Sequence, residues 1–235
     1  MILENTIWNE KVYEKFIKYL KSLQNINYKN FHSKLILDNN LIGIKTPILK
    51  EIAKKISKGD YKSFIKLNKH KYYEEIIIHG LIIGYLKDFN EVKELLDNFI
   101  PYNTNWAIND IVCANMKIFK KNYQEGYKLI EKYLKINNPF YIRMGLVLLI
   151  DFYINEEYID KIFKISNSIK LDNYYVKMAN AWLISICYIK FKEKTYNYLL
   201  NNKLDKFTLN KSISKICDSK RVTIEEKEKI KKIRK

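Results

Sequence analysis

Four residues have the types and spacing that could do chemistry in this sequence: Trp106, Trp182, Asp110 and Arg143. Trp106 and Asp110 are four positions apart, so they share one face of a helix. A carboxylate beside aromatic faces can stabilise a cation that develops next to it. Arg143 is the only arginine among the first 220 residues and lies in an apolar segment. A half-buried guanidinium needs a carboxylate or a phosphate, and Asp110 and a phosphate are both candidates.

The alternative interpretation of these residues is structural. A tryptophan in an amphipathic helix is more often core than ligand, and a single aspartate is usually a solvated charge. The same reasoning predicts a hydrogen-bonded core histidine at His79, which lies in an apolar run. Gly80 and Gly84, four positions apart, are expected to allow close helix packing rather than to bind a ligand.

Common catalytic motifs are absent from the sequence. It contains no nucleophile elbow, phosphate-binding loop, zinc-protease motif or dinucleotide fingerprint. Three histidines are too few and too scattered to predict a metal site, and three distant cysteines indicate neither disulfides nor a thiolate site. We therefore expect no metal, no cofactor and no nucleotide cofactor, and a reducing cytoplasmic location.

The net charge points to a polyanionic partner. Forty-three basic and 26 acidic side chains give a formal charge of +17, and nucleic acid is the first candidate for such a surface. The alternative is solvated charge, because a chain rich in Lys, Ile, Asn and Tyr can become basic through codon bias. The charge is spread along the chain, so the fold must create any basic surface.

Hydrophobic periodicity predicts an all-α protein. Six glycines and three prolines are too few for a sandwich or barrel among 235 residues, and apolar residues recur at helical spacing. No uncharged apolar run approaches the roughly 20 residues that span a bilayer, and the N-terminus has no stretch of signal-peptide length. These features predict a protein that is neither exported nor embedded in a membrane.

Helix starts recur at a near-constant interval. Thr46 and Pro47 open the first clear helix, which Gly59 ends, and a capping box at Thr223 and Glu226 opens the last. In between, intervals of 33 to 35 residues separate the predicted caps Asn68, Asn103, Asn138, Asp172 and Asp205. The first helices of the pairs are predicted at about 71–87, 104–119, 139–153, 173–190 and 207–217, and the second at about 90–99, 122–135, 156–169, 193–201 and 224–234.

This spacing indicates stacked antiparallel helix pairs. We predict a single domain over 1–235, with stacked pairs over 46–235 and an irregular N-terminal helical cap over 1–45 that includes a helix around 7–24. Stacked pairs curve and create a concave surface. Counted from the predicted caps, Trp106, Asp110 and Trp182 fall on one stripe of that surface, and Arg143 falls off it.

Four motifs resemble those of the AlkD-like alkylpurine DNA glycosylases. They are the Trp106-x-x-x-Asp110 run, Phe140 to Arg143, Tyr174 to Trp182, and Gly43 to Pro47 upstream. The resemblance covers roughly residues 30 to 220. It implies a right-handed superhelical array of HEAT-like helix pairs that wraps duplex DNA as a monomer. It also implies excision of N3- or N7-alkylated purines from damaged or distorted DNA.

The resemblance also implies site residues. Trp106 and Trp182 would pack on the deoxyribose of the damaged nucleotide, Asp110 would face its sugar carbon, and Arg143 would hold the adjacent phosphate. Further contacts to DNA are expected from three lysines: Lys45, Lys177 and Lys211.

The chemistry is consistent with a single carboxylate. Alkylation puts a positive charge on the purine, so the base leaves readily and the sugar becomes an oxocarbenium-like cation. An ionised Asp110 could stabilise that cation and orient the attacking water, without a second acid to protonate the leaving group. No lysine Schiff base is needed, so we expect a monofunctional enzyme.

Two alternatives to a glycosylase remain open. Active members of the family carry a lysine and an arginine in the last motif, where this sequence has Met178 and Ser185. That departure favours a non-catalytic module that recognises distorted or branched DNA through its backbone. The third candidate is a protein-binding helical scaffold whose basicity reflects codon bias alone.

Overall fold

A computed structural model describes residues 3–36 and 40–235, and over these residues it contains helices and no strand. The chain divides into two compact units, Met1–Asn122 and Tyr123–Lys235. The first unit contains α1 (Glu10–Ser22), α2 (Ile26–His32), α3 (Thr46–Ile56), α4 (Tyr61–Leu67), α5 (Tyr73–Ile83), α6 (Phe89–Phe99) and α7 (Trp106–Asn115), with short 3-10 helices at Ile100–Tyr102 and Lys117–Lys120. The second contains α8 (Tyr123–Lys135), α9 (Pro139–Phe152), α10 (Ile159–Ser168), α11 (Tyr174–Lys190), α12 (Lys192–Leu200), α13 (Lys206–Asp218) and α14 (Ile224–Lys231). Within the described ranges, no helix is long and apolar enough to cross a membrane.

The predicted series of helix pairs is confirmed. The first helices of successive pairs begin at Tyr73, Trp106, Pro139, Tyr174 and Lys206. In the first unit α5 packs against both α3 and α7, and in the second α11 packs against both α9 and α13. Within their units, α5 and α11 are thus each covered by the first helix of the preceding pair and of the following pair, which is the arrangement that repeating pairs require.

Two of the five predicted caps are confirmed. The side chains of Asn138 and Asp205 accept hydrogen bonds from Phe140 N and Thr208 N. The other three predictions were wrong: the caps are Tyr72, Asn105 and Asn173 rather than Asn68, Asn103 and Asp172. Asn68 and Asn103 are buried and hydrogen-bond to other groups, because a short amide can satisfy an interior polar group as well as a helix end.

The two helices of a pair differ in how much of their surface is buried. Every residue of α5 is buried, whereas α6 buries only Phe89, Val92, Leu96 and Phe99, at spacings of three and four. A helix covered on several sides is apolar all round, and a helix with one covered side is amphipathic. The core therefore runs through the first helices of each unit.

The N-terminal segment contains two helices. The predicted helix around 7–24 is confirmed as α1, which buries Tyr13, Phe16 and Leu20. A second helix, α2, follows, with Asn25 as its cap. Residues 1–2 and 37–39 of the predicted irregular cap lie outside the described residues.

Two glycines set the closeness of α5 and α7, as predicted. A Cβ atom at Gly80 would lie 2.3 Å from Val112 Cγ2 and 2.8 Å from Phe99 Cζ. One at Gly84, the C-cap of α5, would lie 2.6 Å from Asn115 Nδ2. Neither Val112 nor the end of α7 could keep its place against a larger residue.

Two buried carboxylates on α5 hold the N-terminal segment. Glu74 accepts hydrogen bonds from the backbone N–H groups of Ile42, Gly43 and Ile44, at 2.9, 2.7 and 3.2 Å. Burial raises the pKa of Glu74, and these three N–H groups act in the opposite direction. Its neighbour Glu75 accepts from the hydroxyl of Tyr13 on α1.

A histidine pair lies beside these carboxylates in sequence. His79 is 2% exposed, and its Nδ1 lies 2.8 Å from Nε2 of His70, which stacks on Tyr102 at 3.6 Å between ring centroids. The prediction that His79 is a hydrogen-bonded core residue is therefore confirmed. Burial lowers the pKa of His70 to about 4 and that of His79 to about 3, and the charge of His70 contributes to the latter.

We expect this pair to make stability depend on pH. Both histidines stay neutral in the fold above pH 4, whereas in the unfolded chain they bind protons below about 6.5. Their contribution is complete above pH 6.5 and is lost as the pH drops toward 4, and the loss from the buried His79 is about 1.4 kcal/mol per pH unit. Urea unfolding of His79→Gln at pH 7, 6 and 5 should show a shallower decline than wild type. Parallel declines would contradict this assignment.

Candidate active site

Helix α7 positions Trp106 and Asp110 in the first unit. Asn105 caps the helix by accepting hydrogen bonds from the N–H groups of Ala107 and Ile108, both at 3.0 Å. The helix therefore begins at Trp106, and Asp110 follows one turn later on the same face. Both side chains are partly exposed, in contrast to Trp8, which is 5% exposed and packs edge-on against Phe64.

A buried amide contacts the Asp110 carboxylate. Asn109 is fully buried, and its Nδ2 donates to Asp110 Oδ1 at 3.1 Å. The Oδ1 of Asn109 accepts in turn from Nδ2 of Asn103 at 2.8 Å. Sequence reasoning missed both asparagines as functional candidates, and nothing in their spacing could have indicated this contact.

Helix α11 carries Trp182 in the second unit. The indole is partly exposed and lines an open groove of about 290 Å³ together with Ser185, Ile186, Ile189 and residues of α13 that include Lys215. Ser185 is 3% exposed, and its hydroxyl donates to the Trp182 carbonyl at 2.7 Å. The Ser185 position therefore offers no side-chain cation to this groove.

Arg143 lies inside the second unit. It is 5% exposed on α9, and its Nη1 donates to the carbonyl of Tyr175 on α11 at 2.8 Å. Phe140, one turn earlier on α9, packs on the Tyr175 ring at 5.9 Å between centroids. The guanidinium thus ties α9 to the start of α11, and only a small part of it can reach a ligand.

Lys177 lies between two carboxylates. Its ammonium is 2.7 Å from Asp172 Oδ1 and 3.5 Å from Asp205 Oδ1, and 22% of the side chain is exposed. The hydrogen bond to Asp172 raises the pKa of Lys177. A phosphate that binds Lys177 must compete with both aspartates.

Lys45 and Lys211 differ from Lys177 in their charge environment. Lys45 is the exposed N-cap of α3, directly after the backbone that Glu74 holds, and Lys211 is partly exposed on α13. Neither lysine pairs with any carboxylate in the described part of the chain. Both ammonium groups are therefore available to an anion.

The structure brings some of the predicted residues together within each unit. Trp106 and Asp110 share a face of α7, while Trp182, Lys177, Arg143 and Lys211 lie on three successive packed helices, α9, α11 and α13. That the two groups serve one substrate stays a prediction. Over residues 3–36 and 40–235, no group of three or more His, Cys, Asp or Glu side chains could hold a metal ion.

Comparison with known protein families gives one match. The model of the family described as DNA alkylation repair enzyme matches residues 10–216, which is most of the chain. Among curated proteins, none matches.

We expect Arg143 to stabilise the fold. Replacing it with Met keeps an apolar stem but removes the charged hydrogen bond to the Tyr175 carbonyl, which should lower the free energy of unfolding by about 2 kcal/mol. The control is Arg221→Met at an exposed turn, with an expected change below about 0.5 kcal/mol. Equal urea midpoints for both variants would show that the Tyr175 contact does not support the fold.

Proposed function

Since the chain belongs to the family of DNA alkylation repair enzymes, we propose that it is a monofunctional DNA glycosylase. It binds duplex DNA and hydrolyses the N-glycosidic bond of N3- or N7-alkylated purines. The catalytic residue is Asp110, with Trp106 and Trp182 against the deoxyribose. The activity requires no metal and no cofactor.

One observation supports this proposal most directly. Trp106 and Asp110 lie on one helix face and both reach solvent, although α7 is otherwise largely buried. A core role would bury the indole as it buries Trp8. A partly exposed indole on the same helix face as a carboxylate instead suits a cationic ligand with an apolar edge, which describes the sugar in the transition state of base loss.

The chemistry follows from the charge of the alkylated base. The bond between the sugar carbon C1′ and the purine nitrogen breaks, its electron pair neutralises the purine, and the base leaves without a proton from the enzyme. The sugar is left as an oxocarbenium-like cation, which the Asp110 carboxylate stabilises. Water then adds to C1′ and loses its proton to solvent, so the product is an abasic site.

Lysines supply the binding to DNA. The net charge of +17 favours a phosphate backbone as partner, and Lys45 and Lys211 are the proposed contacts whose charges no described carboxylate neutralises. Lys177 and Arg143 are proposed as further contacts. Their share of the affinity should be smaller, because Lys177 is paired and Arg143 is almost fully covered.

A second candidate function is binding without catalysis. Ser185 is buried and its hydroxyl donates to the carbonyl of Trp182, so the position at which the family resemblance implies an arginine provides no charge here. This observation favours a module that recognises distorted or branched DNA. Base release distinguishes the two functions.

Asp110→Asn should abolish base release and leave binding nearly unchanged. The substitution removes a charge but little volume, and loss of a transition-state charge contact lowers rates by about 100-fold or more. The measurement is single-turnover release of N7-methylguanine from a duplex, together with the Kd for the undamaged duplex. Release at the wild-type rate would remove Asp110 from the mechanism, and no release from the wild-type protein would favour the second candidate.

Lys45→Ala and Lys211→Ala should weaken DNA binding and reduce its salt dependence. Each lost phosphate contact lowers the slope of log K against log salt by about 1. The matched control is Lys194→Ala, because that lysine is already paired with Glu156 at 2.7 Å. A wild-type affinity that does not change with salt would contradict DNA binding and support the protein-binding scaffold.

A further inference from the structure

A chain of buried amides leads to the Asp110 carboxylate. Asn103 precedes α7, is 2% exposed, and donates from Nδ2 to Oδ1 of Asn109 at 2.8 Å. Asn109, with no exposed surface, donates from its own Nδ2 to Asp110 Oδ1 at 3.1 Å and to Cys113 Sγ at 3.7 Å. The network joins the segment before the helix to the carboxylate one turn inside it.

The direction of these hydrogen bonds follows from the carboxylate. An ionised carboxylate only accepts hydrogen bonds, so Asn109 must present its NH₂ group to Asp110. Its carbonyl oxygen then faces Asn103, which in turn must present an NH₂ group. The carboxylate therefore fixes which end of the Asn109 amide faces it, and Asn103 holds the opposite end of that amide.

The network includes a destabilising feature that core packing alone does not explain. Oδ1 of Asn103 is buried, and no described donor reaches it. An unsatisfied buried acceptor is destabilising, and a pair of apolar side chains of similar size would avoid that loss. The amides are thus better explained by what they hold than by their contribution to the core.

We propose that Asn109, which Asn103 holds by a hydrogen bond to its carbonyl oxygen, is a positioning residue that fixes the Asp110 carboxylate for its contact with the cationic sugar. This inference rests on the proposed glycosylase function. A carboxylate on a partly exposed helix face can rotate about its side-chain bonds, and a donor held by two further contacts limits that rotation. The amide is uncharged, so this hydrogen bond holds the Asp110 carboxylate without itself placing a positive charge beside it.

The test measures preference for a cation at the sugar position. Two duplexes carry an abasic analogue, one a pyrrolidine that is cationic and the other a tetrahydrofuran that is neutral. The ratio of their Kd values reports the contact between Asp110 and the sugar, and cancels the contribution of the DNA backbone. A purely structural role of Asn109 would not change this ratio.

Four proteins are compared with wild type. Asp110→Asn should lose the preference, and Asn109→Ala should lower it about threefold to tenfold, because a hydrogen bond to a charged group is lost. Asn115→Ala is the matched control, since Asn115 is a buried asparagine of α7 that donates to the Leu81 carbonyl. The double variant Asn103→Leu/Asn109→Leu removes both amides at similar volume, and replaces Asn109→Ala if the latter does not fold.

The outcomes separate the two proposals. A ratio that falls in Asp110→Asn and in the Asn109 variant, but not in Asn115→Ala, supports the positioning role. A wild-type ratio in the folded Asn109 variant, with the preference lost in Asp110→Asn, overturns the positioning role and leaves the proposed function intact. A preference that Asp110→Asn does not change, or that wild type lacks, overturns the contact between Asp110 and the sugar, and both proposals with it.

Discussion

The close approach of α5 and α7 is the contact on which the candidate site depends. The two helices approach each other closely at Gly80 and at Gly84, the C-cap of α5. A side chain at either position would overlap Val112 or Asn115 of α7. Because α5 is buried along its whole length, it cannot move away to make room. Because these two glycines have no side chains, α7 can lie close to α5. This close packing sets the direction in which α7 presents Trp106 and Asp110.

Buried polar groups then fix the side-chain and backbone conformations that helix packing alone does not determine. The amide of Asn109 limits the rotation of the Asp110 carboxylate, and Glu74 holds the backbone that leads to Lys45. These groups lie in the interior, where an unsatisfied hydrogen-bonding group destabilises the fold. Each of them can therefore adopt few conformations. Rigidity at the proposed site therefore comes from buried polar contacts behind it.

The repeat architecture could be predicted from the sequence, because helix periodicity and capping are local properties. Asn138 with Pro139, and Asp205, mark helix starts whose signals lie within a few residues. Asn68 and Asn103 carry the same local signal but serve distant or interior partners, so local reasoning misplaced those two helix starts. The series of pairs was still predicted correctly, because the error in each helix start is small compared with the repeat length.

The candidate site was predictable in its residue types but not in their surroundings. The spacing of Trp106 and Asp110 gives a shared face in any helix, whereas the contact of Lys177 with Asp205 depends on how the start of α13 packs against α11. Arg143 shows the same limit. Its rarity in the sequence marked it as important, but only the folded structure shows that its guanidinium reaches the Tyr175 carbonyl.

Glu74 and Glu75 also determine where this protein can be divided. Glu74 accepts from the loop at residues 42–44, and one oxygen of Glu75 accepts from Tyr13; both partners lie outside the helix pairs. A fragment trimmed to the pairs alone would leave Glu74 without its three N–H donors. Glu75 would keep the N–H of Tyr72 but lose the hydroxyl of Tyr13. The amino-terminal segment therefore belongs to the folding unit of the first pairs, and any minimal version of the protein has to retain it.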